Sequence, residues 1–161
     1  MTDFHRLLRI LSDAGVDFVI VGGFAGTLHG SAIPTRDLDV VYSRKPENMD
    51  RLTAALAPHS PYLRGAPPGL PFRWDRETVA KGLNFTLITD LGAIDLLGEI
   101  VGGGDFAALL PHAITVTIFG VPCRCLGLEK LIEVKRAAGR PRDIQAVAEL
   151  EALLEERGRA G

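Results

Sequence analysis

The sequence predicts an α/β or α+β fold in which helices flank a mixed β-sheet. Short runs rich in β-branched and apolar residues, such as Phe18-Val19-Ile20-Val21, alternate with stretches whose apolar residues recur at helical spacing. Two adjacent strand-like runs, at 115–119 and 122–126, flank Gly120-Val121 as the arms of a hairpin would. The chain has 161 residues, 47% hydrophobic and 24% charged, the size and composition of one ordinary domain. Such a chain buries a core without disulfides or a structural metal.

Phe4, Leu7, Leu8 and Leu11 predict a first amphipathic helix, with Asp3 as its cap and Gly15 as its stop. The run 18–21 follows as a buried strand, stopped by Gly22-Gly23. Residues 24–29 make a short helix ended by Gly30. Asp37-Leu38-Asp39-Val40-Val41-Tyr42 is a second strand, with acids at alternate positions. Pro46 opens a helix through Met49, Leu52 and Leu56, and Pro58 ends it. The segment 58–71 holds five prolines and two glycines, a loop long enough to serve a function. Strands are expected at 84–89 and 93–98, turning at Asp90-Leu91-Gly92. Gly102-Gly103-Gly104 is a loop, and Phe106, Leu109 and Leu110 suggest a short helix before the hairpin. Leu128, Leu131, Ile132 and Ala138 share a helical stripe that Gly139 breaks. Pro141 then opens a last helix through Ile144, Val147, Leu150 and Leu154.

Composition excludes several classes. With 18 basic and 20 acidic residues the net charge is -2, so a general polyanion binder is not expected. No apolar run reaches the roughly 18 residues of a membrane span. Asp3, His5, Arg6 and Arg9 interrupt the N-terminal apolar residues, so no signal peptide is read there and a cytoplasmic protein is expected. Cys123 and Cys125 form a single CxC pair, neither a disulfide framework nor a zinc site; in a strand both point to one face as small core residues.

Gly22-Gly23, between a buried strand and a helix, permits close backbone approach to a phosphate, or simply supplies a tight turn. The run Gly22-Gly23-Phe24-Ala25-Gly26 lacks the spacing of a dinucleotide fingerprint. Asp37 and Asp39 are two apart in a strand and face one side. Such paired carboxylates suit Mg²⁺, a hard ion that prefers oxygen, unless they lie on a solvated edge. Asp95, inside Ile94-Asp95-Leu96, needs a cation, a partner or a cleft, unless it faces solvent. Asp90 and Asp105 sit in turn-like contexts that explain them already. Lys135 falls in the middle of the apolar stripe of its helix, so it snorkels outward or points into a polar pocket. Arg140, Arg142 and Asp143 lie at a helix junction, where Asp143 in a first turn is favoured anyway. The four histidines show neither metal spacing nor a clear nucleophile, and Arg73, Trp74 and Lys81 either line a cleft or, as is more common, sit on the surface.

A strand, Gly-Gly, thirteen residues and Asp-x-Asp on the next strand, followed by Ile94-Asp95-Leu96, resemble the nucleotidyltransferase superfamily and its polymerase β-like fold. The tail Leu128-Glu129-Lys130-Leu131-Ile132 … Lys135 … Arg140-Pro141-Arg142-Asp143 is similar to that of small bacterial and archaeal members, including AbiEii-like toxins of toxin–antitoxin systems. The resemblance spans about residues 16–154. It implies a single domain over 1–161 with a helical C-terminal part at about 127–157. It also implies transfer of NMP from an NTP such as ATP to an acceptor hydroxyl, on RNA such as tRNA, a protein or a small molecule. Asp37, Asp39 and Asp95 would hold Mg²⁺, with Mn²⁺ as a substitute, and Asp95 would favour deprotonation of the acceptor. Gly22, Gly23, Lys135, Arg140 and Asp143 would meet the nucleotide, with orientation of its neighbours as the alternative role of Asp143. A catalytically silent module that binds nucleotide or an antitoxin-like partner is the alternative. In one departure, the second acid that some relatives carry three residues after the tail aspartate is here Ala146.

Overall fold

The Asp3 carboxylate accepts the Arg6 N–H at 3.1 Å and so starts α1 (Phe4–Asp13), which buries Leu7, Leu8 and Leu11. β1 (Phe18–Val21) is buried at every position. It runs directly into α2 (Gly22–Leu28), so this helix starts two residues before the expected Phe24. Glycine is a poor helix former, and the pattern reads as a stop where the chain makes a first turn. β2 (Asp37–Tyr42) and α3 (Pro46–Leu56) match their expected bounds. The proline-rich segment holds a 3₁₀ turn and the two-residue β3 (Tyr62–Leu63). α4 (Arg76–Lys81), capped by Asp75, has no counterpart in the sequence reading. Val79 is its only buried residue, too little for a helical period to register.

β4 (Phe85–Thr89) and β5 (Gly92–Leu97) turn at Asp90-Leu91. The glycine-rich stretch expected as a loop carries a small separate hairpin, β6 (Glu99–Ile100) and β7 (Gly104–Asp105), before α5 (Phe106–Leu109). β8 (Ala113–Ile118) and β9 (Val121–Leu126) form the expected hairpin. Phe119 and Gly120 both have positive φ at its tip, the signature of the type I′ turn that matches strand twist. α6 (Leu128–Ala138) ends on left-handed Gly139, and α7 (Pro141–Ala160) follows.

The computed structural model describes residues 1–160 and has the mixed architecture that the sequence predicts. Seven strands form one sheet in the order β3-β4-β5-β2-β1-β9-β8. β2–β5 and β1–β9 are parallel, and the remaining pairs are antiparallel. β2 is the middle strand. α1, α3 and α4 pack as one group, and α2, α6 and α7 as another. Cys123 and Cys125 are buried side by side on β9, as expected. No described helix is long and apolar enough to cross a membrane.

α7 is pinned to the start of the α2–β2 connection. Glu149 accepts hydrogen bonds from Ser31 Oγ and from the Ala32 N–H. Buried His29 donates Nε2–H to the Leu126 carbonyl at 2.8 Å, which leaves Nδ1 to accept from Arg157 at 3.1 Å. Burial lowers the His29 pKa; the bond to Leu126 opposes this, and the Arg157 charge adds to it. An unfolded histidine titrates near 6.5. Below that pH the unfolded chain therefore binds the extra proton and the folded chain resists it. Stability is full above about pH 6.5 and falls as pH drops through it. Urea titrations at about pH 7.5 and about pH 5 should show a smaller loss for His29→Gln than for the wild type; equal losses would contradict this origin.

Candidate active site

Asp37 and Asp39 lie on the middle strand of the sheet, so the solvated-edge reading does not apply. Leu38 and Val40, on the opposite face, are buried. The parallel register of β2 and β5 sets Asp39 directly beside Asp95. One carboxylate oxygen from each of Asp37, Asp39 and Asp95 lies within 4.8 Å of the others. Like charges opposite one another across strands are destabilising. Asp39 bears most of that cost. Burial first, then the charges of Asp95 and Asp37, raise its pKa to about 7, while Lys135 offsets part of the rise. Its Oδ1 is buried without a hydrogen-bond partner.

Gly22 makes room for this acid. Its φ is +70°, and a Cβ there would collide with the Asp39 carboxylate. A Cβ on Gly23 would come within 2.7 Å of Thr35 Oγ1. The two glycines are therefore needed for close approach between α2 and β2. No side chain caps the first turn of α2.

The acids form the floor of a cleft of about 360 Å³. Lys135, Arg140, Arg142 and Arg36 line it, together with Gly22 and Gly23. Lys135 thus takes the pocket alternative. Its burial lowers its pKa, and Asp143 and Asp39 counter that. Asp143 is 3% exposed and accepts from Arg140 Nε at 2.6 Å, Nη2 at 3.3 Å and the backbone N–H at 3.2 Å. Burial alone would raise the Asp143 pKa, but these bonds and the Arg140 charge hold it below the usual carboxylate value. Asp143 orients Arg140 toward the cleft. A second cavity of about 390 Å³ shares Gly22, Asp39, Lys135 and Arg140 with the first, and adds an apolar wall that includes Leu97, Ile100 and Val134. The structure thus brings together every residue that the sequence singled out for the site. The competing acids are accounted for elsewhere: Asp90 pairs with His59, and Asp105 caps α5. Trp74 donates to the Thr53 carbonyl and packs on Phe85.

Arg36, like Arg64, was not singled out by the sequence, and Arg64 makes the direct contacts with the acids. It follows β3, and its guanidinium reaches Asp95 Oδ1 at 2.7 Å, Asp37 Oδ2 at 3.4 Å and the Leu87 carbonyl at 2.7 Å. The available signal was that it is the only lysine or arginine in the proline- and glycine-rich segment 58–71.

No protein-family model and no curated protein matches the sequence. Solved structures do match. The lincosamide antibiotic adenylyltransferase LnuA, bound to lincomycin, superposes with a TM-score of 0.61 at 12% identity, over 94% of this chain and 98% of that one. The complex of ANT(2")-Ia with adenylyl-2"-tobramycin gives 0.55 at 16%, over 98% and 96%. An antigenic nucleotidyltransferase-like protein from Paracoccidioides brasiliensis gives 0.56 at 17%, over 91% and 72%. The chain has the nucleotidyltransferase fold.

Two substitutions test the packing of the site. Gly22→Ala should destabilise the chain by more than Gly120→Ala, since both have positive φ but only Gly22 faces Asp39. The left-handed backbone alone costs about 1–2 kcal/mol, and the excess measured by urea unfolding is the collision. Asp39→Asn removes a buried like charge and should raise the unfolding free energy by about 1 kcal/mol in metal-free buffer. A lower melting temperature in that variant would contradict the repulsion described above.

Proposed function

We propose that this protein is a metal-dependent nucleotidyltransferase that moves a nucleoside monophosphate from an NTP to an acceptor hydroxyl, with the α–β phosphoanhydride bond broken and pyrophosphate leaving. One observation carries the reading: three converging carboxylates form the floor of a cleft walled by Lys135 and Arg140. The donor set is all oxygen, and the buried Asp39 Oδ1 has no protein partner. Both features fit a hard divalent cation, Mg²⁺ or Mn²⁺. Asp37, Asp39 and Asp95 would hold it, and when bound it would neutralise charge on the reacting phosphate.

The chain's own residues supply the rest, which in phosphoryl chemistry is mainly positioning and charge. Lys135 and Arg140 would hold phosphate oxygens, with Arg140 fixed in place by Asp143. The close-packed backbone of Gly22 and Gly23 would let phosphates approach the strand end. Asp95, on the strand beside Asp39, would accept the proton of the acceptor hydroxyl.

A small-molecule hydroxyl is the acceptor class that the site fits best. The cleft and the apolar cavity beside it are of small-ligand size. Two of the structural neighbours were solved with an antibiotic or an adenylylated antibiotic. Such a transferase would work in the cytoplasm, where NTPs and Mg²⁺ are supplied. RNA or protein acceptors, as in a toxin–antitoxin role, are separated by the assay itself. Each α-labelled NTP is incubated with the protein, Mg²⁺ and a lysate that is nuclease-treated, depleted of macromolecules, or left whole. Label is expected in small molecules and should fall about 10³-fold with Asp37→Ala, the loss of several kcal/mol of charge stabilisation. Undiminished label with Asp37→Ala, or none with the wild type, would overturn the reading.

A further inference from the structure

Arg64 pairs with two of the three carboxylates that a metal would use. Its two terminal nitrogens engage Asp95 Oδ1 and Asp37 Oδ2, while its Nε is buried with no partner. A purely structural arginine in so closed a place would have its donors satisfied. This pose leaves Nε unmet and places charge on the carboxylates, with the Leu87 carbonyl at 2.7 Å as the one neutral acceptor. The backbone around Arg64 is fixed, so any movement is of the side chain. The Arg64 N–H is held by the Thr86 carbonyl at 3.0 Å and the Ala66 N–H by the Leu63 carbonyl at 3.2 Å. Tyr62 Oη donates to the Pro67 carbonyl and accepts from the Leu70 N–H at 3.2 Å.

We propose that Arg64 is an internal counter-ion of the acidic trio, whose guanidinium is displaced from the carboxylates when a divalent cation binds them. This rests on the metal-site reading above and adds its regulation. A guanidinium and a metal ion drawn to the same two carboxylates repel one another. The two therefore compete, and the affinity for metal is lowered by the strength of the ion pairs it weakens. The opposite role is a permanent brace, in which Arg64 aims Asp95 at the metal, and it predicts the opposite sign.

The test uses the full chain without nucleotide. Mn²⁺ is titrated into the wild type, Arg64→Gln and Arg64→Ala and followed by paramagnetic resonance, with folding checked by circular dichroism. Arg64→Gln should bind Mn²⁺ about fivefold more tightly than the wild type, or better, the equivalent of one partly exposed ion pair. Equal or weaker Mn²⁺ binding by Arg64→Gln, or by Arg64→Ala if the glutamine variant does not fold, would overturn the counter-ion. An absence of Mn²⁺ binding in all three proteins would overturn the metal site itself. Tighter binding by Arg64→Gln without any nucleotidyl transfer would leave the counter-ion standing and remove only the enzymatic reading.

Discussion

Three carboxylates crowded within 4.8 Å must be compensated or protonated. The crowding follows from strand register: the parallel pairing of β2 and β5 fixes Asp39 against Asp95, and the two-residue repeat of a strand brings Asp37 to the same side. Much of the neighbouring structure answers that charge. Gly22 lets the backbone pass beside Asp39, Lys135 projects from α6 into the cleft, and Arg64 reaches in from a loop. The hydrophobic core holds these groups in place, since Leu38 and Val40 anchor the strand on its other face.

The basic wall is organised differently from the acidic floor. Arg140 is mostly exposed, yet a buried carboxylate grips it through three bonds. Exposed arginines lose considerable side-chain entropy when they bind, and an arginine already held loses less. Lys135 is held instead by burial, in the stripe that packs α6 against the rest of the fold. The cleft therefore presents cations of two kinds, one hydrogen-bonded into place and one packed into place.

Much of this was legible in the sequence because the site follows local rules. Acids spaced by two in a strand, an acid inside an apolar run and a lysine inside an apolar stripe are violations of patterning that stand out residue by residue. The AbiEii-like resemblance of the tail added the expectation that Arg140 and Asp143 belong with them. The sequence could not show what depends on chain path. The partner of Asp95 is a loop residue 31 positions away, and only the pairing of β3 with β4 decides that it arrives there. α4 was missed for the reverse reason: a helix with one buried residue is held by its cap and its neighbours, with little period to read.

The pairing of β1 with β9 joins Val19 to Arg124, so the cleft is a product of both halves of the chain. Gly22, Asp37 and Asp39 emerge from synthesis long before Lys135 and Arg140. Loop closure over such separations is slow and comes late in folding. An unfinished or partly folded chain carries acids without their basic wall. The complete cleft exists only after the long-range pairing has formed, so a partly folded chain lacks the arrangement of charge that the folded one presents.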